Sequence, residues 1–262
     1  MQATINGIEF GYDVLGESGM PMVLIHGFGL NRKIWMPVVS AYLRNQMVIL
    51  PDVRGHGESE ALKGPYPMDL LAEDTVNLLA FLGIEKAVVC GHSMGGYITL
   101  AFAKAYPQRL AGMGLITTRA EADTEEGRAG RYKLIEAVYK RGSLPLAESL
   151  APRLTKDKTL ALEMRALLAE TSPAGIIGAL EGMAERPDCT NFLRKIAQPA
   201  LVVAGGEDQI IDMENAKLMA EALPDGDFLP IPQAGHLPML ETPAELGKGL
   251  LRLVRRVETL QE

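Results

Sequence analysis

The stretch Val88–Pro107, VVCGHSMGGYITLAFAKAYP, passes from an apolar run to a helical pattern through one polar turn. Ser93 stands in that turn. A hydroxyl at this point is either a helix cap or a nucleophile. The five residues Gly91-His92-Ser93-Met94-Gly95 fit the G-x-S-x-G nucleophile elbow, and the physics behind the pattern is specific. The turn from strand to helix is so tight that the serine takes strained backbone angles. Residues two positions away on either side must lack side chains, hence Gly91 and Gly95. The turn also brings a helix N-terminus, with its positive end, under the reacting oxygen. The flanks AVVC and ITLAFA place the pentapeptide between a strand and a helix and favour the nucleophile over the cap.

Working outward, further strand and helix patterns alternate on both sides. The start reads as a hairpin: Thr4-Ile5 and Ile8-Glu9-Phe10 flank Asn6-Gly7, a two-residue turn signal. Short apolar runs follow in PMVLIHG, QMVILPD, KAVVCG, LAGMGLIT, PALVVAGG and DFLPIP. Near-continuous apolar runs of this length, separated by helices such as DLLAEDTVNLLAFLG, are what a parallel sheet covered on both faces demands. The alternation stops once. Residues 119–186 hold no strand-like run and read as three or four helices. Asp123 with Glu126 forms a candidate capping box, and Ser172-Pro173 a candidate helix start. The expected organisation is therefore a core of 1–118 and 187–262 with a helical cap, or lid, over 119–186. Leu134, Met164, Leu167, Ile176, Ile177, Leu180 and Met183 are expected to form the core of that cap.

The chain has 262 residues, 47% of them hydrophobic, which suits one large core. A net charge of -7 argues against a nucleic-acid or anionic-membrane surface. No stretch approaches the ~20 apolar residues of a membrane span. The N-terminus lacks the pattern of a signal peptide. The two cysteines, Cys90 and Cys189, do not make a disulfide framework, and a cytoplasmic location is expected.

A serine nucleophile needs a base. Of the four histidines, His92 adjoins Ser93 and should point away from it. His26, in HGFG, and His56, in RGHGES, follow early strands. In the α/β-hydrolase order the serine precedes the acid, which precedes the histidine, and His236 alone follows Ser93. The acid should end a strand between them. Asp208, after the glycine turn of LVVAGGEDQIID, is the choice, with Glu207 and Asp212 as neighbours that compete and turn formation as its other reading. Backbone N–H groups of Phe28 and Met94 are assigned to an oxyanion hole. Phe28, Trp35, Met94 and Leu237 are candidate walls of an apolar substrate pocket, with core packing an equal reading of Trp35. Thr242, Pro243 and Glu245 predict a capped helix start. No spacing of three converging metal ligands occurs, and no cofactor signature is seen.

Together HGFG at 26–29, PDVRGHGES at 51–59, GHSMGG at 91–96, GGEDQI at 205–210 and AGHLPMLETP at 234–243 resemble the α/β-hydrolase superfamily over essentially the whole chain. The resemblance implies an eight-stranded, mostly parallel sheet with helices on both faces and the 119–186 insertion as a helical cap. Residues 117–131 are similar, more loosely, to the cap entrance of small-ester hydrolases and enol-lactonases. Serine at the elbow separates the chain from haloalkane dehalogenases and epoxide hydrolases, which place aspartate there. Gly29 stands where perhydrolase-type members often have proline.

The function expected is hydrolysis of a small, largely apolar carboxylic ester by Ser93, His236 and Asp208 through an acyl-enzyme. A lactonase, enol-lactones included, would use the same residues. A slow-turnover ligand-binding signalling protein of the same fold and an acyltransferase are further readings. The partner expected is a small-molecule ester or lactone; the sequence is silent on oligomeric state.

Overall fold

The structure is a computed structural model that describes residues 1–260. Gln261 and Glu262, the end of the expected core segment, lie outside the described residues. The chain begins with β1 (Gln2–Ile5), β2 (Ile8–Leu15) and β3 (Ser18–Ile25), then α1 (Met36–Tyr42), β4 (Gln46–Pro51) and α2 (Met68–Phe81). Strand β5 (Ala87–His92) passes through Ser93 into α3 (Met94–Ala105), and β6 (Leu110–Ile116) follows. Four helices come next: α4 (Glu125–Arg141), α5 (Leu144–Leu154), α6 (Lys158–Glu170) and α7 (Pro173–Ala184). The short α8 (Thr190–Leu193) leads to β7 (Ala200–Gly205), α9 (Met213–Ala222), β8 (Gly226–Ile231), α10 (Pro238–Glu241) and α11 (Pro243–Thr259).

The eight strands form one sheet in the order β1-β2-β4-β3-β5-β6-β7-β8. Its first two pairings are antiparallel and the rest are parallel. The hairpin expected at Asn6-Gly7 is present: both residues have positive φ, 48° and 79°, and Ile5 pairs with Ile8. Each of the six apolar runs is a strand. Strands β5 and β7 are buried along their whole length, as a sheet covered on both faces requires. Helix α3 packs on β3, β5 and β6, and α11 on β3, β6 and β7.

The parallel strands run in one direction, so the loops after β3, β4, β5, β6, β7 and β8 gather at their carboxyl ends. That is where open α/β sheets bind ligands. Within the insertion α4 packs against α5 and α7, and α5 against α6. Helix α7 meets the core through glycines. A Cβ on Gly175 would overlap the carbonyl of Gly55, one on Gly182 would overlap that of Tyr66, and one on Gly178 would stand 2.6 Å from the Gly64 carbonyl. Tyr66 N–H donates to the Gly178 carbonyl, 2.9 Å. The contact is backbone against backbone at Gly175 and Gly182, with the Tyr66 ring also against Gly178, and a side chain at these positions would prevent it.

Two local expectations are corrected. Thr124, not Asp123, caps α4, accepting from Gly127 N–H at 3.1 Å. Asp123 is instead ion-paired with Arg131 and Arg186. Ser172 and Thr242 precede α7 and α11, each with Pro first, but neither side chain accepts a capping hydrogen bond. Thr242 turns its hydroxyl back to the Pro238 carbonyl, 3.3 Å. No described helix is long and apolar enough to cross a membrane.

Candidate active site

Ser93 is the hinge between β5 and α3, at φ 53° and ψ -115°. A residue with a side chain adopts a positive φ only at a cost, and the surroundings must enforce it. They do so by close approach. A Cβ on Gly91 would overlap the carbonyl of Gly95, and one on Gly95 would lie 2.5 Å from the carbonyl of Ile25. The elbow thus needs both glycines, as its motif implies. Ser93 makes no side-chain capping bond to α3. Its hydroxyl forms no hydrogen bond among the described residues and opens into a cavity of about 490 Å³.

His236 lines the same cavity. Its Nδ1–H donates to Asp208 Oδ2, 2.8 Å away, and both side chains are buried. That bond fixes the tautomer and leaves Nε2 as the free lone-pair nitrogen. Asp208 also serves the turn in which it sits: Oδ1 accepts from the N–H groups of Ile210, 2.8 Å, and Ile211, 3.1 Å. The carboxylate thus bonds the His236 ring through one oxygen and its own turn through the other. Glu207 pairs with Lys156 at the surface, and Asp212 caps α9.

The imidazole is held by its own backbone. The His236 carbonyl accepts from His92 Nε2–H, 2.8 Å, and from the Thr117 hydroxyl, 3.1 Å. His236 N–H donates to the Leu154 carbonyl at the end of α5, 3.1 Å. On either side of it, Gly235 and Leu237 donate their N–H groups to Glu241 Oε2 at 2.8 and 3.1 Å. Sequence reasoning missed Glu241 and Thr117, whose partners are identified only once the chain is folded. His92 does turn to His236 rather than bonding Ser93, yet it borders the cavity. Burial, with the His236 ring beside it, pushes the His92 ring well below the ordinary histidine pKa and keeps it neutral.

The HGFG loop is fixed from behind. Val53 N–H donates to His26 Nε2, 2.9 Å, and His26 Nδ1–H donates to the Gly27 carbonyl, 2.8 Å. The buried Asp52 carboxylate accepts from the N–H groups of Arg32 and Glu58, each 2.8 Å, and pairs with the Arg32 guanidinium. This anchors PDVRGHGES beneath the loop. Among the described residues the N–H groups of Phe28 and Met94 have no acceptor. Met94 is the first residue of α3, where helical geometry provides none.

The pocket residues need correction. Trp35 and Leu237 are fully buried and neither lines the cavity, so both are core. Phe28 borders the cavity, whereas the Met94 side chain is buried away from it. Leu134, Leu180 and Met183, expected in the cap's core, line the cavity. They are joined by Leu146, Leu150 and Leu154, one face of α5 at intervals of four. That spacing was the available signal for a cavity wall. The described residues contain no cluster of metal-ligating side chains.

A sequence model of the family described as alpha/beta hydrolase fold matches residues 20–243. A thermophilic esterase from Thermogutta terrifontis, solved with malate bound, is 36% identical, with a TM-score of 0.92 and 98% of each chain covered. The 3-oxoadipate enol-lactonase 2 of Acinetobacter baylyi is 26% identical over 97% of this chain and 96% of its own. The dihydrolipoyllysine-residue acetyltransferase component of the acetoin cleaving system of Pseudomonas putida is 32% identical over 94% of this chain, which spans 66% of that relative's length. With a family match over most of its length and the eight-stranded sheet that goes with it, the chain belongs to the alpha/beta hydrolase fold family.

Proposed function

We propose that the protein is a carboxylic ester hydrolase with Ser93 as nucleophile, His236 as base and Asp208 as its orienting acid. The observation that carries this is the 2.8 Å Asp208–His236 bond, which leaves Nε2 as the basic nitrogen in a cavity that the strained Ser93 also lines. Ser93 Oγ attacks the acyl carbon as Nε2 takes its proton. The negative oxygen that results is met by the N–H groups of Phe28 and Met94, which await an acceptor; one such donor is worth roughly 10²–10³ in turnover. Nε2–H then protonates the departing alkoxide, and the acyl group stays on Ser93. Water then gives a proton to Nε2 as its oxygen attacks the acyl carbon, and the intermediate collapses by breaking the bond to Ser93 Oγ, which takes the proton back from Nε2–H as the acid leaves.

Residues 119–186 act as the cap over the 1–118 and 187–262 core and supply the apolar wall from α4, α5 and α7. The relatives named as an esterase and an enol-lactonase support cleavage of an ester or lactone. The enol-lactonase favours a lactone as the second reading: the same steps then open a ring, and the alkoxide stays attached to the product.

A phosphonate probe tests the nucleophile. It should label Ser93 in the wild type, and Ser93→Ala should lose both label and esterase activity. Folded wild-type protein that takes no label, or Ser93→Ala with full activity, would overturn the reading.

A further inference from the structure

The charges in the cavity point to the kind of ester. Arg119 stands just past β6 and lines the cavity with Ser93. Its Nη2–H donates to the Ile210 carbonyl, 2.8 Å, a neutral acceptor. Among the described residues no carboxylate lies within ion-pair distance of it, and its buried Nε–H has no acceptor. A guanidinium offers five N–H donors in a planar fork that matches a carboxylate. Nε is sealed inside the fold, whereas Nη1 makes no hydrogen bond among the described residues and is not sealed, so it is the donor that an incoming acceptor can reach.

The other charges in the cavity do not neutralise it. Asp123 is the carboxylate among its lining residues, and it is already committed. Arg131 pairs with it on one side, and Arg186 Nη1 approaches its Oδ1 to 2.7 Å. Burial alone would raise the Asp123 carboxyl, but the two arginines outweigh it and hold the group below its ordinary pKa. That trio keeps one positive charge. Arg153, exposed at the rim, adds another and has no ion-pair partner among the described residues. In a protein with a net charge of -7, the wall of this cavity is cationic. Walls of one sign around a cleft concentrate the field on an entering ligand.

We propose that the substrate carries, besides its scissile ester or lactone, a carboxylate that docks on Arg119, with Arg131 and Arg153 drawing it in. This rests on the ester-hydrolase reading of the same cavity. Apolar leucines around Ser93 then hold the chain between the two ends of the substrate.

Matched ester pairs test it. One pair places the charge on the acyl side: mono-p-nitrophenyl glutarate against p-nitrophenyl pentanoate. The other places it on the alkoxy side: 4-(butanoyloxy)butanoate against pentyl butanoate. In at least one pair the wild type should favour the charged member in kcat/KM by about 10- to 100-fold. Arg119→Gln should bring that ratio close to one. Arg119→Lys should keep part of it, since the charge stays and the fork is lost. It also decides the matter should the glutamine variant not fold. No preference in either pair, or a preference unchanged in these variants, overturns the proposal. Should the wild type cleave none of the four esters, the subsite is judged by binding alone, and labelling of Ser93 by the phosphonate probe decides the hydrolase reading separately. Glutarate should then raise the melting temperature of the wild type more than that of the Arg119 variants. Equal shifts, or none, would overturn the subsite as well.

Discussion

The Thr155 hydroxyl donates to Oε1 of Glu241, 2.6 Å away, and so ties the end of α5 to the loop that carries His236. The other oxygen of that carboxylate receives the N–H groups on both sides of the histidine. One side chain thus sets the place of His236 and links its loop to the end of α5. Glu241→Ala leaves two amides unpaired and lets the loop shift. A displacement near 1 Å is enough to lower kcat by about 10- to 100-fold. Thr155→Val removes the link, together with the acceptor that the hydroxyl offers to Asp157 N–H at 3.1 Å, and should cost about 1–2 kcal/mol of stability. Steady-state kinetics and urea unfolding of both variants check this pair of outcomes.

Asp208→Asn should be severe although it changes few atoms. The asparagine still accepts from Ile210 and Ile211, so the turn survives. It no longer offers a carboxylate to His236, and the imidazole loses both its tautomer and its stabilised cation. A fall of about 10⁴ in kcat is expected, with the urea midpoint little changed. Normal turnover in a folded variant would move the role of the acid elsewhere.

Acid should loosen the fold before the carboxylates titrate. His26, His56 and His92 are buried and neutral, and burial pushes each ring below its ordinary pKa, to about 3 for His56. The unfolded chain binds protons at these rings below about pH 6.5 while the native state does not. The unfolded state therefore holds more protons in that window, and stability falls as pH drops through it. Each histidine contributes at most about 1.4 kcal/mol per pH unit. Urea midpoints measured from pH 7.5 down to 4.5 should decline steadily, and a flat profile would rule this out.

Two glycines of the insertion should respond in opposite directions to alanine. Gly130 lies in α4, and a Cβ there meets nothing within 4 Å. Gly130→Ala should stabilise the protein by about 0.5–1 kcal/mol through lower entropy of the unfolded chain. Gly182→Ala drives a methyl group into the Tyr66 carbonyl and should cost about 3 kcal/mol. Thermal unfolding of the two variants side by side is a direct comparison.

The strands were legible because burial on both faces writes itself as short apolar runs, and the elbow because its glycines are demanded by backbone contact. Ser93, Asp208 and His236 could be singled out because each stands in the connection that follows a strand, β5, β7 or β8. Contacts between distant segments left no such trace. Glu241 is an ordinary helix residue until the chain folds and brings its carboxylate under Gly235 and Leu237. Asp123 was misread for the same reason: its partner Arg186 is far along the chain. Leu237 was misplaced, and Trp35 left open between wall and core, because hydrophobicity does not distinguish a core position from a pocket wall. Arg119 carried no signal at all, since a lone arginine after a strand matters only when no carboxylate folds back onto it.

The glycine face of α7 bears on how the insertion can be exchanged. Where backbone meets backbone, the core reads no side chain, so the join imposes little on the sequence of the helices before it. Helices α4 to α6 supply Leu134 and the leucines of α5, while α7 holds its place through Gly175, Gly178 and Gly182. A graft that replaces walls ahead of Pro173 but keeps α7 and the bonds of Leu154, Thr155 and Thr171 to the core would change what the cavity admits while preserving the seam. The insertion is in this sense a module whose walls can be exchanged while its fastenings, at α7 and at the end of α5, stay.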